Sequence, residues 1–243
     1  MTADPPLFEM QDASLAFGGN RALDAVSFSV QPGELVGLIG PNGSGKTTLL
    51  NAVGALYPLS DGRIVLLGKR IDTLPVHKVT RAGVARTFQA PRVFPHMTAM
   101  ENMLAAGFAV RGPQDTRASL IERAQDLLHS LALERFRDAL ASTLSGGQRM
   151  LLQFARTLMQ QPRLLLLDEP FGGVHPLLIE TMLERIRALH ASGLTIVMVS
   201  HDLPTIMGLS QRIIVLAQGR VIADGTPDVV RQDPGVIDAY LGG

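Results

Sequence analysis

Cysteine is absent from all 243 residues, which excludes disulfides and thiolate metal sites. An excess of charge of either sign is also missing. Lys+Arg and Asp+Glu stand at 22 each, so no global field draws in nucleic acid or an anionic membrane surface. No window approaches the roughly 18 uninterrupted apolar residues of a membrane span; runs such as 164–167 and 195–199 are strand-length. The opening Met1-Thr2-Ala3-Asp4-Pro5-Pro6 has neither a basic start nor an apolar stretch, so no secretory signal is expected. Six histidines occur (His77, His96, His129, His175, His190 and His201), but no two share a metal-site spacing such as H-x3-H. What is present, 46% hydrophobic and 18% charged residues, is the composition of a globular chain with a real core. The length suits one large domain or two small ones.

Along the chain, 7–17 and 21–30 read as strands joined by a Gly18-Gly19-Asn20 turn. An apolar strand over 34–39 leads into a glycine-rich loop and a helix over 46–55; further strands are expected at 63–67 and 84–88. From about 90 to 160 the helical period dominates, clearest over 118–131 and 146–159, with a loop at 111–116. Strands at 163–167, 194–199, 212–216 and 219–223 then alternate with helices at 177–190 and 203–208, and two short helices close the chain. This alternation implies an α/β fold with a mainly parallel sheet, interrupted by a helical insert.

Residues 40–48 are Gly40-Pro41-Asn42-Gly43-Ser44-Gly45-Lys46-Thr47-Thr48, which fits G-x-x-x-x-G-K-[ST] between a strand and a helix. Glycines let the backbone curl so that its N–H groups form an anion-binding nest, and the helix start adds the positive end of its dipole. Lys46 is then expected to reach the β- and γ-phosphates of a nucleotide, and the Thr47 hydroxyl to ligate Mg²⁺. A second constellation ends the strand Leu164-Leu165-Leu166-Leu167 in Asp168 and Glu169. Strand carboxyl ends face the ligand crevice of an open parallel sheet. Asp168 can hold Mg²⁺ there, and Glu169 can polarise a water for in-line attack on the γ-phosphate.

Leu144-Ser145-Gly146-Gly147-Gln148 opens the helix 146–159, a capped and anion-friendly start in its own right. With GPNGSGKTT, LLLLDEP and Ser200-His201-Asp202, in this order, it makes nearly the whole chain resemble the ATP-binding subunit of ABC transporters. That resemblance implies one domain over 1–243: a P-loop NTPase (RecA-like) core, about 1–89 and 161–243, with an N-terminal antiparallel β part and a helical subdomain over about 90–160. It implies ATP and Mg²⁺ as cofactors and ATP hydrolysis as the reaction. Phe17 matches the aromatic that stacks on adenine. Gln89 matches the glutamine that senses Mg²⁺ and the attacking water. Ser145, Gly146 and Gly147 match the signature that contacts ATP bound to the other subunit, and His201 matches the switch histidine at the γ-phosphate. The sequence departs from the family six residues after Glu169, where His175 stands in place of the usual Asp or Asn; a histidine there, titrating near neutrality, would make turnover pH-sensitive.

The loop and the signature fall in different regions, so the resemblance implies two subunits, identical or not, meeting head to tail with two ATPs between them. It further implies transmembrane permease partners and a peripheral place on the cytoplasmic face of the bacterial inner membrane. Residues 83–103 (GVARTFQAPRVFPHMTAMENM) and the tail from Gly225-Thr226-Pro227 to Gly242 resemble the ATPases of branched-chain amino-acid uptake. The Phe171-Gly172-Gly173-Val174 loop is also similar to that of lipopolysaccharide export. Phe94, Met97, Met100 and Met103 are candidates for a docking groove toward the permease. Action on nucleic acid is not expected, because neither paired nucleotide domains nor a basic patch is present. The intact Lys46, Asp168, Glu169 and His201 speak against an inert regulatory fold.

Overall fold

A computed structural model describes residues 5–241; the expectations for 1–4 and for Gly242 and Gly243 lie outside the described residues. The N-terminal part is a four-stranded antiparallel sheet of β1 (Phe8–Phe17), β2 (Asn20–Val30), β4 (Asp61–Leu66) and β5 (Lys69–Arg70), in the order β2-β1-β4-β5. Phe8, Met10, Ala13 and Leu15 of β1 point inward, the alternation expected of a half-buried strand.

The second sheet holds β3 (Leu35–Ile39), β6 (Val84–Arg86), β7 (Leu164–Asp168), β8 (Thr195–Val199), β9 (Arg212–Ala217) and β10 (Arg220–Gly225). Its order is β10-β9-β3-β8-β7-β6. Every neighbouring pair is parallel except the β9–β10 hairpin at one edge. The central strands β3, β7, β8 and β9 are apolar on both faces because each face has its own core. Leu35, Ile39, Leu165, Leu167, Ile196 and Met198 pack with the helical insert. Val36, Leu38, Leu164, Leu166, Val197 and Val199 pack toward the antiparallel sheet.

The helices are α1 (Lys46–Val53), α2 (Val76–Ala82), α3 (Ala99–Val110), α4 (Arg117–Ser130), α5 (Gly146–Leu158), α6 (Pro176–Ala191), α7 (Leu203–Leu209), α8 (Pro227–Gln232) and α9 (Pro234–Leu241). The insert is α3, α4 and α5, each opened by a reciprocal capping box: Thr98 with Glu101, Thr116 with Ser119 and Ser145 with Gln148. No described helix is long and apolar enough to cross a membrane.

Three expectations need correction. The strand expected over 84–88 stops at Arg86, because the chain then leaves the sheet edge and turns toward α5. Helix α2 was not foreseen; it buries only Val79 and so leaves no apolar period to read. The proposed groove residues divide: Phe94 and Met97 are 47% and 40% exposed, whereas Met100 and Met103 are core. The Thr98 cap fixes where α3 begins, and that phase turns Met100 and Met103 inward.

Candidate nucleotide site

Four parallel strands deliver the site. β3 runs into the glycine-rich loop, β7 ends at Asp168, β8 is followed by Ser200 and His201, and β6 precedes Gln89. A cavity of about 620 Å³ lies over these ends. Its lining gathers Phe17, Asn42 through Thr48, Gln89 and Glu169. Gly40, Pro41, Asp168 and His201 do not line it, nor do Ser145, Gly146 and Gly147, which stand at the start of α5 in the insert.

The loop needs glycine at two points. At Gly40, φ is 151°, and a Cβ would lie 2.0 Å from the Leu216 carbonyl oxygen. At Gly45, φ is 105°, and a Cβ would lie 2.5 Å from the Ala22 carbonyl oxygen. Any larger residue would push the loop off β2 and β9. Gly45 also leaves α1 without a side-chain cap, unlike the three helices of the insert. The leading N–H groups of α1 thus keep their capacity for an anionic ligand. Lys46 Nζ donates to the carbonyl oxygens of Gly40 (2.7 Å) and Pro41 (2.9 Å), spanning the loop. Burial depresses its pKa, and the nearby Glu169 and Asp168 charges oppose that shift.

Glu169 occupies the left-handed region at φ 47°, a strained backbone for a non-glycine residue. Its N–H is held by the Val199 carbonyl at 3.0 Å. Its Oε2 accepts from the His201 N–H at 3.1 Å and lies 2.7 Å from His201 Nδ1. One carboxylate oxygen is therefore committed to the segment after β8, with the histidine ring largely exposed beside it.

Asp168 is almost fully buried. Its N–H donates to Thr87 Oγ1 (3.1 Å), and its Oδ2 accepts from Arg86 Nη2 (3.0 Å). Burial raises the Asp168 pKa and lowers that of Arg86, each partner opposing the other's shift. Asp168 Oδ1 is buried without a hydrogen-bond partner. An acceptor oxygen in that position fits a divalent cation, approached directly or through water. Among the described residues no three His, Cys, Asp or Glu side chains cluster as a metal site. The oxygens that would suit such a cation are therefore a mixed set, the Thr47 hydroxyl, the Gln89 amide and Asp168.

The sequence reading missed Arg86, which joins Asp168 to Asn51 Oδ1 (2.8 Å) and lies over the Phe88 ring. It also missed Tyr57, whose ring meets Phe17 edge-on at 5.2 Å and steadies an aromatic that is 49% exposed. His175 caps α6: its Nδ1 accepts from the Leu177 N–H at 3.3 Å. It thereby does the capping work for which Asp or Asn is the usual choice.

A glycine-rich loop with its lysine, an exposed aromatic and a strand-end carboxylate meet at this cavity, an arrangement whose chemistry suits a nucleotide. The ABC transporter family model matches residues 23–172, and the branched-chain amino acid ATP-binding cassette transporter model matches residues 220–243. The chain is 37% identical over 252 residues to the high-affinity branched-chain amino acid transport ATP-binding protein BraF of Pseudomonas aeruginosa, covering 98% of both chains. It superposes on a nucleotide-free ATP-binding cassette from an ABC transporter with a TM-score of 0.86, at 30% identity, over 98% of this chain and 100% of that one. A dimeric cassette in a post-hydrolysis state, bound to ADP and Pi, matches with a TM-score of 0.81 at 28% identity, over 90% and 98% of the two chains. The chain belongs to the ATP-binding cassette family of ABC transporters.

Proposed function

We propose that this chain is the ATP-hydrolysing subunit of an importer for branched-chain or related amino acids. It works as one of two cassettes held against permease subunits on the cytoplasmic face of the inner membrane. The single observation that carries the ATPase reading is the cavity itself, where Phe17, the loop 42–48, Gln89 and Glu169 meet from separate strands. The amino-acid assignment is supported by the relative named above and by the match of residues 220–243.

Phe17 offers its face to adenine. The loop N–H groups and the start of α1 hold the phosphates, and Lys46 exchanges its two carbonyl partners for the β- and γ-phosphate oxygens. Thr47, Gln89 and Asp168 would hold Mg²⁺, which would supply neutralisation of phosphate charge. Glu169 takes the proton of the attacking water, and His201 orients that carboxylate while reaching for the γ-phosphate. Ser145, Gly146 and Gly147, which lie outside their own chain's cavity, seal the nucleotide of a second cassette, identical or related. Hydrolysis followed by release of phosphate then takes away the charge that both halves grip, and the pair opens. Exposed Phe94, Met97 and Leu140 give the permease an apolar surface. The 95–98 segment and residues 140–142 are tied together by Ala141 N–H to the Met97 carbonyl (2.9 Å) and Ser142 N–H to the Pro95 carbonyl (3.0 Å).

The test is Glu169→Gln. ATP binding and ATP-induced dimerisation persist, while phosphate release falls by about two to four orders of magnitude, the typical worth of a general base. Undiminished turnover by that variant removes Glu169 from the mechanism.

A further inference from the structure

We infer that Gln153, on the signature helix, is a positioning residue that ties Gln89 to that helix, so that the state of one nucleotide site is passed to the residues facing the other. The inference rests on the role proposed above for Gln89. Gln153 is 3% exposed in the middle of α5. Its single carboxamide closes both flanks of the loop that presents Gln89. Nε2 donates to the Phe88 carbonyl at 2.7 Å, and Oε1 accepts from the Arg92 N–H at 2.8 Å.

The chain left the sheet at Arg86, so these backbone groups have no ladder partner, and the side chain takes the place of a strand. Two further contacts bind the same loop to the same helix or to itself. Arg156 of α5 donates to the Arg92 carbonyl. The Arg92 guanidinium lies over the Phe88 ring, 4.1 Å from its centroid. Gln89 is thus the exposed crown of a closed loop whose base is one buried side chain.

Eight residues before Gln153 stands Ser145, at the cap of the same helix and about 12 Å away at the rise of an α-helix. A helix is stiff over that distance. When Gln89 shifts toward the γ-phosphate and its metal, the pull on 88 and 92 acts on Gln153. It then turns the end of α5 that carries Ser145, Gly146 and Gly147. Arg156 reinforces the same link from one turn further along α5, whereas Thr157 Oγ1 reaches the Arg86 carbonyl only at 3.4 Å.

The experiment is a double-mutant cycle on the full chain with Gln153→Leu, Gln153→Glu, Gln89→Ala and the Gln153→Leu/Gln89→Ala pair, each checked by thermal melting for a folded state. Leu removes both hydrogen bonds, whereas Glu keeps the acceptor and loses the donor. The expected kcat for ATP falls about tenfold or more in Gln153→Leu and less in Gln153→Glu, while KM stays within about twofold. In the Gln89→Ala background, Gln153→Leu lowers kcat no further, because its effect runs through Gln89. A second readout is ATP-induced dimerisation in a Glu169→Gln background, where adding Gln153→Leu raises the ATP needed for half-dimerisation by about tenfold. Losses that multiply independently in the pair, or an unchanged dimerisation curve, overturn the role of Gln153 alone. Full activity of Gln89→Ala removes the reading of Gln89 and the inference with it.

Discussion

Arg86 and Asp168 form a buried ion pair with side-chain exposures of 8% and 2%. Arg86→Met keeps much of the packing over Phe88 but leaves the carboxylate without its cation. Breaking one partner of such a pair costs about 3–5 kcal/mol. The upper end is bounded by an escape route, since Asp168 can take up a proton. Neutralising an ordinary carboxyl at pH 7.5 costs about 1.36 kcal/mol for each of roughly 3.6 pH units, or about 5 kcal/mol. For a chain of this size that corresponds to a fall in Tm of roughly 6–20 °C. The pH dependence follows from the direction of the shift. Burial already raises the Asp168 pKa, and losing Arg86 raises it further. The folded variant then binds a proton that the unfolded chain releases, so its stability declines as pH climbs from the ordinary carboxyl range toward the raised folded value. The deficit against the parent is therefore larger at pH 8 than at pH 5.5. Denaturant unfolding at both pH values measures it, and Arg86→Met/Asp168→Asn recovers most of the loss. A deficit below about 1 kcal/mol at pH 8, or a double variant no more stable than the single, refutes the reasoning.

Two further outcomes follow from particular contacts. Gly45→Ala forces a Cβ toward the Ala22 carbonyl at a left-handed φ; a fluorescent ATP analogue binds it at least about a hundredfold more weakly, since anion-binding N–H groups lose their aim. Retention of normal affinity would show that the loop tolerates the shift. His175→Asp replaces an imidazole acceptor at the start of α6 with a stronger, charged cap; stability rises by about 1 kcal/mol, read as roughly 2–4 °C in a thermal melt. A lower Tm would mean that His175 does more than cap.

The parts of the site legible in the sequence are those made by the backbone of one short segment. A loop that curls around phosphates demands glycines and a lysine at fixed spacing, and the required conformations at Gly40 and Gly45 are those such a motif exists to supply. Strand alternation and the four-leucine run before Asp168 fixed the sheet for the same reason. The parts that could not be read are meetings of distant side chains. Nothing in Arg86-Thr87-Phe88-Gln89 announces that Arg86 points at Asp168, because the parallel register of β6 on β7 brings the two together. Nothing around Gln153 announces its two hydrogen bonds, because both partners, Phe88 and Arg92, lie more than 60 residues earlier in the chain. Met100 and Met103 could not be separated from Phe94 and Met97 without knowing that Thr98 starts the helix between them.

The leucines of β7 alternate between two cores, Leu165 and Leu167 on one side, Leu164 and Leu166 on the other. The sheet is thus a diaphragm rather than a wall: it has no idle side behind the reacting edge. A cavity opened on either surface relaxes the same strand, and Asp168 sits at its tip. Damage to packing far from the nucleotide will register as lost turnover before it registers as unfolding.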